Sequence, residues 1–399
     1  MRHLTRPLSM VVLIIAIAAC SKDKAIDQPA KLTAFSSTLH VARVWSASVD
    51  DKKAIALRLG LGIAADDGRV FAAGHKGDVV AFDLNTGRTL WRTRLKAPLS
   101  GGTAAGDGMV LIGSSDGRLF ALEAANGNSR WSVRVNGEVL APAAISERLI
   151  ALRTVDGKLR ALSPADGHEL WVQQQPVPRL SLRGTARPLI AGDLVLCGFD
   201  NGKVLAVNAA DGSVQWEATI TPPHGRTELE RLVDIDTAVR VSGQDVYTVG
   251  FQGKVAMLAI DTGQVWWSHD ASSYRSLTLD DDGLYMATAD GEIAALKSRT
   301  GAEVWRQKAL LHRGLTAPAA VDEADALVMA DFQGYVHFLD KATGALAARI
   351  SSGKARVSAT PLVGARQRRG PRPRGHLRAP HRTTHRRREA PRPRSRRRA

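Results

Sequence analysis

The chain has only two cysteines, Cys20 and Cys197, and once the first is modified no intrachain disulfide remains available. Long apolar runs are equally scarce. The one near the start, Met10 to Ala19, falls short of the roughly 20 residues a spanning helix needs, and Ser21-Lys22-Asp23-Lys24 ends it at once. Net charge is missing from the body of the chain too. The formal charge of +16 looks like a nucleic-acid signal until it is located. Residues 365–399 hold fifteen Arg and one Glu, and the first nineteen residues hold Arg2 and Arg6 with no acid. Without these segments, 38 basic and 38 acidic residues are left. Residues 20–364 are therefore neutral, and binding of nucleic acid by them is not expected.

Catalytic and metal motifs are also lacking. Gly113-Ser114-Ser115-Asp116-Gly117 spells a nucleophile elbow, but that motif requires a strand-turn-helix setting and sits here on a repeated turn. His168-Glu169 lacks the second histidine of a zinc-protease helix, because Val172 occupies that place. Asp280-Asp281-Asp282-Gly283 is followed by no spaced oxygen ligands and reads as a solvated turn. Gly60-Leu61-Gly62 precedes no helix, which removes a dinucleotide site. Cys197, in Leu194-Val195-Leu196-Cys197, has nothing basic or helix-initiating beside it in sequence, so a buried and inert thiol is expected. No metal, no cofactor and no catalytic residue is assigned.

What is present is a repeat. First glycines at Gly77, Gly117, Gly157, Gly202, Gly253, Gly291 and Gly334 are each followed ten residues later by a second, at Gly87, Gly127, Gly167, Gly212, Gly263, Gly301 and Gly344. The alternating apolar residues between them, as in Val204-Leu205-Ala206-Val207, read as a strand entering a tight turn and returning. A one-residue slip would turn the buried face outward, so the spacing is structural. Four residues past the second glycine stand Trp91, Trp131, Trp171, Trp216, Trp267 and Trp305, which are expected to pack between neighbouring units. Ala348 takes that place in the seventh unit and predicts a weaker seam.

Units of about 40 residues with four short strands each predict an all-β propeller of antiparallel blades. Seven hairpins are visible. An eighth tryptophan-bearing strand, Val41-Ala42-Arg43-Val44-Trp45, precedes them and reads as the closing strand of an eighth blade completed from the far end. The count adopted is eight, with the last blade incomplete. After Arg356 to Val363 the sequence turns to Arg, Pro, His and Gly, which cannot form the missing hairpin. The 364–399 tail is read as a disordered, out-of-frame product; a basic tail that binds nucleic acid or anionic lipid is the alternative.

Residues 1–19 have the charged start, apolar centre and small-residue cut site of a signal peptide. Ile17-Ala18-Ala19-Cys20 resembles the bacterial lipobox, which implies acylation of Cys20 and a lipoprotein. Ser21 at the next position implies passage to the outer membrane. Residues 20–40 are then the lipidated N-terminus and linker, and 41–363 the propeller.

The unit Ala81-Phe82-Asp83-Leu84-Asn85-Thr86-Gly87-Arg88-Thr89-Leu90-Trp91 resembles the repeats of quinoprotein propellers, shared by pyrroloquinoline-quinone dehydrogenases and cofactor-free relatives. No adjacent cysteine pair and no calcium constellation supports the dehydrogenase. With the lipobox and neutral body, residues 20–363 resemble the BamB family of outer membrane protein assembly factors. The most specific stretches are Pro178-Arg179-Leu180-Ser181-Leu182-Arg183-Gly184 and 227–237, Thr-Glu-Leu-Glu-Arg-Leu-Val-Asp-Ile-Asp-Thr. The resemblance implies that Leu180, Leu182, Arg183, Asp234 and Asp236 contact the POTRA domains of BamA. It implies a non-catalytic scaffold on the periplasmic side of the outer membrane, with other subunits of the assembly machinery and nascent outer membrane proteins as further partners. A dehydrogenase-like quinoprotein and a carbohydrate-binding propeller are the alternatives.

Spacing marks the same region independently. The gaps from each tryptophan to the next first glycine are 26, 26, 31, 37, 24 and 29 residues, and the two longest hold one stretch each. Insertions in repeats gather on one face, often the binding face. On the residues alone, Leu180 and Leu182 as inward strand positions, and Arg183 paired with Asp234 or Asp236, remain open readings.

Overall fold

The computed structural model describes residues 27–49, 61–182, 184–281 and 283–364. The signal segment, Cys20, Arg183 and the 365–399 tail lie outside the described residues.

In the first unit, β1 (Ala64–Asp66), β2 (Arg69–Ala73), β3 (Asp78–Asp83) and β4 (Thr89–Arg94) pair antiparallel in chain order. Val79 to Phe82 of β3 are buried on both faces, whereas β4 alternates, with Trp91 buried between exposed neighbours. That difference makes β3 an inner strand and β4 an outer one. Between them the Asp83 carboxylate accepts the N–H and hydroxyl of Thr86, at 2.8 and 2.7 Å, and Gly87 takes φ +68°. An aspartate-capped turn ending in a left-handed glycine fixes the register.

The arrangement recurs in seven four-stranded sheets among the described residues. The β-propeller is as expected, but the count of eight is not. Residues 41–45 form no ladder, and after the strand Leu346–Ser351 no further strand is described. An outer strand needs inner strands to hydrogen-bond to, and the described residues supply none for an eighth blade. Trp45 nevertheless takes a blade tryptophan's place. Its ring lies over Gly87, its Nε1 donates to the Leu84 carbonyl at 2.9 Å, and Phe82 packs 6.3 Å away.

Each repeat tryptophan staples its blade to the next. Trp91 Nε1 donates to Ala124 O at 2.9 Å, and a β-carbon built on Gly127 would fall 2.5 Å from its ring. Only glycine leaves room for the indole there. Trp131, Trp171, Trp216, Trp267 and Trp305 repeat the bond, to the carbonyls of Pro164, Ala209, Ile260, Ser298 and Lys341.

Residues 30–43 run as a strap over the seventh blade, where Ala348 replaces the tryptophan. Ala30 N–H donates to Leu311 O at 2.9 Å and Thr38 N–H to Ala347 O at 2.9 Å. Leu32 packs on the apolar cluster around Leu310 and Leu339. Arg313 and Arg349 hold the carbonyls of Ala30 and Thr33 at 2.9 and 3.0 Å, and Arg349 lies over the Phe35 ring. Among the described residues no helix is long and apolar enough to cross a membrane.

Candidate functional site

The two stretches picked out by spacing leave the outer strands Glu169–Gln174 and Val214–Thr219 and enter the next blades at Leu189 and Arg240. In a four-stranded antiparallel blade these links lie on the same side as the turns between second and third strands. They therefore share one face of the propeller, and there they touch.

The second stretch is anchored from below. Leu232, Val233 and Ile235 are buried, Ile235 N–H donates to Phe199 O at 3.1 Å, and Phe251 N–H donates to Asp234 O at 2.7 Å. Asp234, held between these bonds, is fully buried. Its Oδ2 accepts the Leu182 N–H at 3.2 Å. Gly184 lies so close to Asp236 that a β-carbon there would fall 1.7 Å from Oδ2, so only glycine fits against that carboxylate. Asp234 holds the first loop by its side chain, and Asp236 packs against that loop at Gly184. Leu180 is left 41% exposed and Leu182 half-buried, neither in a strand.

Beneath the acids lies a charged cluster that sequence reasoning missed. Arg153, from the third blade, is buried and pairs with Asp200. Its Nη1 donates to Gly198 O at 3.0 Å, and its guanidinium lies 4.6 Å over the Phe199 ring. A signal for it was available. Four residues before the first glycine, the sister units carry Ala73, Gly113, Gly198, Val249, Ala287 and Ala330, whereas the third carries arginine.

Burial pushes the Asp234 and Asp236 carboxyls well above the ordinary carboxylate range. For Asp234 the neighbouring Asp236 and Asp200 add to the shift, and Arg153 opposes it. For Asp236 Arg153 opposes burial, while Asp200 raises it further. The Oδ1 atoms of both have no hydrogen-bond partner among the described residues. Such a pair is stable while protonated and strained when both ionise.

Cys197 sits under the same cluster. Burial pushes its thiol up to about 12 against the opposing field of Arg153. The thiol is buried as expected, but a basic group does stand near it. Arg153 comes from another blade and is absent from the local sequence.

Asp234 is sealed from solvent, and the two grooves described on the surface touch neither Asp234 nor Asp236. Ser115 sits in the turn of a strand-turn-strand hairpin, its hydroxyl 3.3 Å from Pro98 O. Among the described residues no three His, Cys, Asp or Glu side chains converge as metal ligands. What the face offers is a loop with one exposed leucine, held rigidly from beneath, which suits recognition of another surface. Of the five site residues expected from sequence, four meet here, and Arg183 lies outside the described residues.

Comparison with known proteins agrees with this fold. The family described as outer membrane protein assembly factor BamB matches residues 41–98, 75–307 and 289–368. The outer membrane protein assembly factor BamB of Pseudomonas aeruginosa is 45% identical over 356 residues, 89% of this chain and 93% of that protein. Its counterpart in Kangiella koreensis is 41% identical over 361 residues, 90% of this chain and 91% of that protein. The crystal structure of BamB from Moraxella catarrhalis superposes with a TM-score of 0.72 at 28% identity, covering 77% of this chain and 92% of that one. A quinohemoprotein alcohol dehydrogenase from Pseudomonas putida HK5 superposes with a TM-score of 0.63 at 13% identity, covering 76% and 68%. At that identity the likeness is one of fold alone.

Proposed function

The chain belongs to the BamB family of outer membrane protein assembly factors, and on that premise we propose that it is a non-catalytic scaffold that docks on the POTRA domains of BamA. The observation that carries the reading is the meeting of the two longest inter-blade loops, where Asp234 holds the Leu182 backbone and leaves Leu180 exposed. Rigid presentation lowers the ordering cost of association, so a small apolar anchor contributes more of its burial to affinity.

The roles divide by exposure. Leu180 and Leu182, with Arg183 beside them in sequence, form the contact surface. Asp234 and Asp236 act through the loop they hold, since Asp234 has no surface to offer a partner. The scaffold is tethered through acylated Cys20 to the periplasmic leaflet of the outer membrane, beside the other subunits of the assembly machinery and the nascent barrels they handle. The dehydrogenase reading has only the shared fold behind it.

The test is co-purification of BamA POTRA domains with the wild-type chain and with Leu182→Asp and Arg183→Glu. Loss of POTRA domains from both variants, with unchanged circular dichroism and melting, is the expected result. Wild-type recovery by both would overturn the assignment.

A further inference from the structure

Leu229 stands 66% exposed on the longest inter-blade segment. Single exposed leucines are common on protein surfaces, but the backbone around this one is fixed. The Glu230 carboxylate accepts the N–H groups of Arg226 and Thr227 at 2.7 and 3.0 Å, and the Glu230 N–H donates to the Thr227 hydroxyl at 3.2 Å. This reciprocal Thr-Glu box, with Arg231 N–H donating to Thr227 O at 3.0 Å, locks one tight turn. Gly225 enters it at φ +113°, where the Glu230 side chain occupies the space a β-carbon would need. On the other side Leu232, Val233 and Ile235 plug into the propeller. The turn points Leu229 into solvent from a rigid base.

The surroundings extend the candidate face rather than close it. An open groove lined by His224, Gly225, Arg226, Glu230 and Gln252 runs beside the turn. Next to Gln252 in the chain, the half-buried Phe251 ring packs 6.2 Å from Tyr274. Five residues after Leu229 comes Asp234, which carries the Leu182 loop. The turn and the loop are thus two crests joined by one buried acid.

We propose that Leu229 is a second apolar anchor of the docking surface and seats on the same POTRA domains that receive Leu180 and Leu182. The inference rests on the docking reading above. Its support is continuity, because the Leu229 turn leads within five residues to Asp234, which holds the Leu182 loop. The combination of an exposed leucine and a locked backbone is what a binding anchor requires and what a spacer turn does not.

The experiment measures affinity of purified tandem POTRA domains of BamA for the wild-type chain and for Leu229→Asp, Leu229→Met, Leu180→Asp and Val304→Asp. Val304 is a control, an exposed residue on the outer strand of the sixth blade. The expected result is a loss of about tenfold or more for Leu229→Asp, near wild-type affinity for Leu229→Met and Val304→Asp, and unchanged melting for all four. If Leu180→Asp loses binding while Leu229→Asp stays within twofold, the Leu229 inference is overturned and the docking reading stands. If the wild-type chain does not bind the POTRA domains, both fall. Equal losses for Leu229→Asp and Val304→Asp would show a general charge effect and would also overturn the inference.

Discussion

Leu182 and Asp234 meet across 52 residues of sequence, the backbone N–H of one donating to the side-chain oxygen of the other at 3.2 Å. The exposed loop of one blade junction is thereby fastened by a buried acid of the next.

Asp234→Ala removes that acceptor and leaves the loop on its own. The expected outcome is faster hydrogen exchange at residues 176–184, weaker POTRA binding and an intact propeller. One such bond is worth on the order of 1 kcal/mol. Asp234→Asn keeps an acceptor and should restore slow exchange, which separates positioning from charge.

The raised carboxyls of Asp234 and Asp236 make stability pH-dependent in a definite direction. The folded state holds protons on these groups that the unfolded chain releases near the ordinary carboxylate value. Their contribution is therefore complete below about pH 4 and is lost as pH rises toward the elevated folded values, at up to about 1.4 kcal/mol per pH unit per group. Asp236→Asn cannot ionise. Its melting temperature relative to wild type should climb between about pH 4 and pH 7 and level off above, and a constant difference across that range would refute the account.

Asp331 behaves oppositely. Burial alone would raise it, but the His337 ring, the Tyr335 N–H and the Arg313 guanidinium hold it down to about 2. Its contribution is present above about pH 4 and is lost as pH falls toward 2. Asp331→Ala strands buried Arg313, so the expected cost at neutral pH is about 3–5 kcal/mol by urea unfolding. That cost should shrink in acid. The strap should also loosen, read as proteolysis near residues 30–35, because Arg313 holds the Ala30 carbonyl.

Trp171→Ala should cost about 3–5 kcal/mol, the usual result of emptying a buried indole site. Trp45→Ala should cost less, because Trp45 is only half-buried and belongs to no four-stranded sheet of its own among the described residues. Urea midpoints of the two variants decide between them.

Cys197 should resist a thiol-directed reagent such as DTNB in the folded chain and react on unfolding. Burial withholds both the thiolate and access to it. Prompt native reaction would show that the third and fourth blades separate readily.

Much of this was legible in advance because the repeat is local. The ten-residue glycine spacing encodes a turn whose φ only glycine adopts without strain, and the tryptophan four residues on encodes the contact across the seam. The two longest gaps marked the loops that meet at Leu182 and Asp234, because extra length in a repeat has only the surface to occupy. Asp234 and Asp236 could be picked out in the sequence, but not their place beneath the Leu182–Gly184 loop, since burial is a property of the packed blades. The eighth blade was overcounted because Trp45 bears the mark of a blade tryptophan while the described residues give it no inner strands.

The sequence by itself determined the blade, its turns, its staples and the place of the insertions, all of which are set by interactions within a few dozen residues. Tertiary structure alone decided which acids are buried, that Arg153 from a different blade lies beside Asp200 and Cys197, and that Leu182 hangs on Asp234. Those outcomes depend on which side chains of separate blades are brought together and sealed from water, and no single stretch of chain specifies that.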